Sequence, residues 1–153
     1  MNRENYRYNG LDSFRDVVLL QGVSRRGDLI LLLENGFGQR AGLREITGII
    51  EDLGHENLRL AYNPANFAFE GGKPFLDFVR KLKYAGVVYI NDGIRNSPGE
   101  FAEPGKGNAE IKEIVSALRA RSFTGVLTLK SPGLDKPAFR GHAGAFRKLL
   151  AEM

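Results

Sequence analysis

Four polar groups, Glu34 with Asn35, Asn63 with Asn66, Tyr89 with Asn91 and Asp92, and Lys130, each stand where an apolar run ends, at roughly even intervals along the chain. The runs are short and continuous. Such runs mark strands buried on both faces, as in parallel sheets, rather than the alternating pattern of a half-exposed strand. Between them lie stretches with apolar residues three or four apart, the helical period. The alternation predicts an α/β fold of parallel βα repeats.

The first strand is Leu29 to Leu33, flanked by Gly27 and Gly36, and the helix after it carries Leu43, Ile46, Ile50 and Leu53, with Gly54 as its stop. Leu58 to Tyr62 reads as the second strand. A helix follows with Pro74 near its start and Phe75, Phe78, Val79 and Leu82 on one face. Gly86 to Ile90 is the third strand, and Ile111, Ile114, Val115 and Leu118 line the next helix. Gly125 to Leu129 is the fourth strand, and Phe139 to Leu150 forms a closing helix. Leu11 to Val23 reads as a helix leading into the first strand. The sequence therefore predicts an N-terminal helix and four βα units in a single domain over 1–153. An eight-unit (β/α)8 barrel, the TIM barrel, needs about 250 residues and carries its chemistry at the C-terminal strand ends. This chain of 153 residues has room for half of one.

Four strands of this kind leave two open edges and an inner face rich in Leu, Ile, Val and Tyr, and edges of that sort pair or aggregate unless covered. Three arrangements answer the problem: a half-barrel completed by a second copy or another chain, a self-sufficient open sheet, or a piece of a longer protein. A homo-oligomer, or a second chain supplying the other half-barrel, is the favoured expectation.

Composition narrows the chemistry. The apolar fraction is 42% with no low-complexity tract, as in an ordinary globular chain. No apolar run reaches a membrane-spanning length, and the start MNRENYRYNGLDSF lacks a signal-peptide layout. A cytoplasmic protein is expected. With no cysteine and two separated histidines, carboxylates are the main metal donors left. The net charge of +4 comes from scattered residues, a weak signal for nucleic acid. His55 lies in a helix-to-strand loop and His142 in the last helix, and both are read as solvated or structural.

Five short strings carry a resemblance. Leu33-Glu34-Asn35-Gly36-Phe37-Gly38-Gln39 resembles the strand end LENxxGQG of endonuclease-IV-type apurinic endonucleases, a branch of the xylose-isomerase-like TIM barrels that includes sugar-phosphate isomerases and epimerases. Asn63-Pro64-Ala65-Asn66 stands where that family has Asp-x-x-His. Val88-Tyr89-Ile90-Asn91-Asp92 resembles HxND, Pro104-Gly105-Lys106-Gly107-Asn108 resembles LGEGN, and Leu129-Lys130-Ser131-Pro132 resembles LETP. The order is that of the C-terminal half of the family barrel. The resemblance implies a divalent metal site, yet of the family ligands only Glu34 keeps its identity: Asn63, Asn66, Tyr89 and Lys130 replace the others. Amide oxygen is a neutral donor and tyrosine a poor ligand at neutral pH, so no metal and no cofactor are expected.

Removal of a divalent cation leaves a carboxylate in need of a positive partner, which Lys130 can supply. The sequence predicts a polar cluster of Glu34 and Lys130 surrounded by Asn63, Asn66, Tyr89 and Asp92, with Asn35 and Asn91 nearby as binding residues. The bland alternative is that Lys130 snorkels out of the rim. The loop at Lys106 could offer backbone N–H groups to a phosphate. Two functional readings follow. In one the chain is a catalytically degenerate half-barrel acting in binding, assembly or regulation, with a small sugar or phosphate as the ligand. In the other it is a sugar isomerase, epimerase, aldolase-like or endonuclease-like enzyme completed by a second chain, with Glu34 as base and Lys130 as electrophile or Schiff-base nucleophile.

Overall fold

A computed structural model describes residues 29–36, 43–131 and 136–153. The elements run β1 (Leu31–Glu34), α1 (Leu43–Leu53), β2 (Leu58–Tyr62), α2 (Pro64–Phe69), α3 (Pro74–Lys81), β3 (Ala85–Ile90), β4 (Asp92–Gly93), β5 (Phe101–Ala102), α4 (Ile111–Ala120), β6 (Val126–Leu129) and α5 (Lys136–Ala151). β1, β2, β3 and β6 form one parallel sheet in that order, and β4 and β5 form a small antiparallel ribbon. The parallel α/β fold read from the periodicity is present, and each of its four strands is followed by helix. The helix expected over Leu11 to Val23 lies outside the described residues.

Side chains alternate across a strand, and here one face meets the helices. Leu33 of β1, Leu58, Leu60 and Tyr62 of β2 and Val88 of β3 pack with Ile46, Ile49 and Ile50 of α1, Phe78 of α3, and Ile114 and Leu118 of α4. A second cluster joins Ala68, Ile90, Ile111, Val115 and Leu149, which ties α5 to the sheet. Truncation of a fully buried aromatic such as Phe78 removes about 3–5 kcal/mol. The phenol of Tyr62 is buried too, and it donates to the Pro74 carbonyl at 2.6 Å, so the polar tip of a core residue also fixes the start of α3.

The register contains one irregularity. Leu60 is level with Ala85 but Ala61 with Val87, so Gly86 is an extra residue on β3. A Cβ there would stand 2.9 Å from the Cβ of Arg59, which only glycine avoids. Beyond the bulge, Val87, Tyr89 and Asn91 share a face with Glu34, Asn63 and Lys130. That face turns away from the helices.

Two elements went unread in the sequence. Helix α2 is six residues long, too short for a periodic signal, and Pro64 opens it at N1. The β4–β5 ribbon pairs two residues with two, and neither stretch forms an apolar run.

Candidate functional site at the strand mouth

The C-terminal ends of β1, β2, β3 and β6 bring side chains from four separate stretches of sequence to one place. Glu34 Oε1 accepts a hydrogen bond from Asn63 Nδ2 at 2.7 Å and an ion pair from Lys130 Nζ at 3.0 Å. The Lys130 ammonium also lies 4.7 Å from the centre of the Tyr89 ring, a cation–π distance. The Tyr89 pKa is raised above the usual tyrosine value by burial first, then by the Glu34 charge and by hydrogen bonding toward Glu34. The phenol is thus a neutral donor at physiological pH. Asn63 Oδ1 in turn accepts from Asn91 Nδ2 at 3.2 Å. Glu34, Asn63, Tyr89, Asn91 and Lys130 therefore form one connected network.

Asn35 and Asn66 work on the backbone instead. Asn35, fully buried, accepts from the Asn63 N–H at 2.7 Å and donates to the Asn63 carbonyl at 2.9 Å, clasping the end of β2 from the end of β1. Asn66 donates to the Asn35 carbonyl at 2.6 Å. A buried amide that satisfies peptide groups on a neighbouring strand sets position and leaves little to offer a ligand. These two residues hold Asn63 and Glu34 in register.

Asp92 does not join the cluster expected for it. Its side chain turns into the following loop, where Oδ1 accepts from the N–H groups of Gly93 (2.9 Å) and Ala109 (2.8 Å) and Oδ2 from those of Gly105 (2.9 Å) and Gly107 (3.0 Å). The amides that could have cradled a phosphate are filled by an internal carboxylate. Lys106 points away from them and pairs with Glu103 at 2.6 Å, with 73% of its side chain exposed. The hydrogen bond from Lys106, then its charge, lower the Glu103 pKa. The loop is an anion nest already satisfied by the chain itself.

The network also decides how a divalent cation would fare. Such an ion needs several oxygen or imidazole lone pairs converging on one point. Here the groups that converge on Glu34 are N–H and O–H donors and an ammonium, while the second carboxylate at the mouth, Asp92, is saturated. No group of three or more His, Asp or Glu suited to a metal occurs among the described residues. The residues present do not fit the metal that the resemblance implies.

Two polar residues of this face, Arg59 and Thr128, carry no motif signal, and only alternation counted back from Asn63 and Lys130 could have found them. His142 donates through Nδ1–H to the Ala138 carbonyl at 3.1 Å, within its own helix. His55 Nδ1 accepts from the Asn57 N–H at 3.1 Å. Of the aromatic residues in the middle of the chain, Tyr62, Phe69 and Phe78 are buried, and Phe67 and Phe75 pack against the core. Among the described residues no helix is long and apolar enough to cross a membrane.

The comparisons agree on the fold. The chain is similar over 90% of its length to half (50%) of a xylose isomerase domain protein from Planctomyces limnophilus, with 18% identity and a TM-score of 0.72. It is similar over 92% of its length to 54% of a D-tagatose 3-epimerase-like protein, at 16% identity and a TM-score of 0.76. A 3-keto-D-glucoside 4-epimerase from E. coli gives 13% identity over 90% of this chain and 52% of that one, with a TM-score of 0.71. The chain thus spans about half the length of these neighbours. No curated relative matches its sequence. The family described as xylose isomerase-like TIM barrel matches residues 20–149, and the chain belongs to that family.

Proposed function

We propose that the chain is a metal-independent binding module built on half of the xylose isomerase-like barrel, which takes a small polyhydroxylated ligand of the sugar class at the strand mouth. One observation carries this reading. Lys130 Nζ stands 3.0 Å from Glu34 Oε1 in a shell completed by the Asn63 amide, so a fixed ammonium provides the positive charge a carboxylate at this position requires. A network of amides, a neutral phenol, a carboxylate and an ammonium offers donors and acceptors in alternation. Sugar hydroxyl groups, each a donor and an acceptor, match such a set. That structural neighbours include epimerases of sugars supports the ligand class.

Enzymatic turnover is not part of the proposal. A Schiff-base lysine needs a free lone pair on Nζ, whereas Lys130 is engaged as the ion-pair partner of Glu34. The test is a titration of the chain with a panel of free ketoses and aldoses, followed by NMR of the side-chain amides, in the presence and absence of a chelator. Shifts at Asn63 and Asn91 that are indifferent to the chelator are expected. Binding that the chelator abolishes, a borohydride-trapped adduct at Lys130, or cleavage of abasic DNA would each overturn the reading.

A further inference from the structure

We infer that the partner completing the sheet is a second copy of this chain, joined by a two-fold axis along the barrel so that β6 of each copy pairs in parallel with β1 of the other. The inference rests on the strand edges and not on the proposed ligand. Among the described residues, β1 and β6 each pair on one side only. Both edges carry exposed apolar side chains: Ile30 is 61% exposed and Val126 57%. An open groove at the N-terminal ends of the strands is lined by Ile30, Arg59, Gly86 and Val126 together with the end of α3 and the segment 121–125 that leads into β6.

The register fixes how the edges would meet. Glu34 is level with Ala61, Ala61 with Val87, and Val87 with Val126. The residue at the mouth is Lys130, directly after β6 and four positions beyond Val126. Crossing the sheet therefore drops the level by four residues. A closed eight-stranded barrel of this type has a shear of about 8, so each half of a two-fold barrel must drop four residues over its four strand-to-strand steps, a total that the three steps within the chain already reach. The remaining step sets Lys130 level with the partner's Glu34 and Val126 level with the partner's Ile30.

Two independent checks favour this seam. Parity is the first: Val126 lies on the same face as Lys130, and Ile30 on the same face as Glu34, so an even shift leaves inner residues beside inner residues. A seam displaced by one residue would place apolar side chains against the wrong layer. Charge is the second. β1 ends in an anion and β6 in a cation, and the closed mouth would carry Glu34, Lys130, the partner's Glu34 and the partner's Lys130 in alternation. An antiparallel or β1-to-β1 seam would place like ends together or opposite ends apart.

The chain has no cysteine, so the seam can be read by chemical cross-linking without background. The unmodified chain is weighed by sedimentation equilibrium from micromolar to millimolar concentration, and Ile30→Cys and Val126→Cys are treated with a short bis-maleimide, each alone and as a mixture. Twice the chain mass of 16.9 kDa is expected, with covalent dimer formed in the mixture at least tenfold faster than in either variant alone. A monomeric mass throughout the range would overturn the inference, and so would cross-linking of Val126→Cys to itself as fast as in the mixture. Because the mass is measured on the unmodified chain, poor folding of a variant leaves the test intact. Sugar binding by a monomer would refute the two-fold seam while sparing the proposed function.

Discussion

Two carboxylates at the same end of the sheet, Glu34 closing β1 and Asp92 just past β3, meet opposite fates. Asp92 is almost fully buried and spends both oxygens on four backbone N–H groups of one loop. Glu34 is partly exposed and is held by side chains from β2, β3 and β6. Backbone donors cannot be exchanged without unfolding the loop, whereas side-chain donors can rearrange around a ligand. The difference teaches that a conspicuous acidic residue at a barrel mouth is a site candidate only if its partners are free to move.

The sharpest test of that contrast is Asp92→Ala. Four amides would be left without their acceptor, and unsatisfied buried donors cost about 1–3 kcal/mol each before relaxation and non-additivity, so a total loss of about 3–5 kcal/mol is expected at the upper end of single substitutions. Urea unfolding measures it, and amide exchange at Gly105, Gly107 and Ala109 should accelerate. Next comes Gly107→Ala. A Cβ there would run into the Asp92 carboxylate and lie 2.7 Å from the Gly93 carbonyl oxygen, and overpacking of this kind costs about 1–3 kcal/mol. A neutral outcome would show that the loop bends more easily than its hydrogen bonds imply.

Lys130→Met should cost much less. The pair it breaks is 44% exposed at the lysine and 31% at the glutamate, and partly exposed pairs contribute about 1 kcal/mol or less. Sugar binding should nevertheless weaken at least several-fold. A loss of stability equal to that of Asp92→Ala would erase the distinction between the two carboxylates. The smallest effect is one of pH. Tyr62 and Tyr89 both have pKa values raised above the usual 10.0, chiefly by burial. Their folded forms hold the proton more tightly than the unfolded chain, so this contribution is intact below about pH 10 and declines as pH rises past it. Stability of Tyr89→Phe against pH, compared with the parent chain, should show a shallower alkaline decline.

Much of the framework was legible because the apolar runs are continuous and the helices periodic. β2 was bounded correctly, and β3 and β6 to within a residue, whereas β1 starts two residues late and includes Glu34. The site was readable in part: residues spaced nearly a hundred positions apart could be assigned to one mouth because strand ends converge in this architecture. What the sequence did not disclose was orientation. Asn35 and Asn66 fall on the same motifs as Glu34 and Asn63, yet one turn of backbone directs them at peptide groups. Asp92 follows Asn91 directly, and its reversal depends on three glycine and alanine amides that arrive from residues 105–109. Such a contact has no local signature.

The most direct test of the mouth as a metal-independent site is a titration of the chain with Mn2+ monitored by electron paramagnetic resonance. If the Lys130 ammonium supplies the charge that Glu34 requires, the signal of free Mn2+ should persist in full at equimolar protein. Disappearance of that signal at one ion per chain, with Lys130 displaced from Glu34, would contradict it.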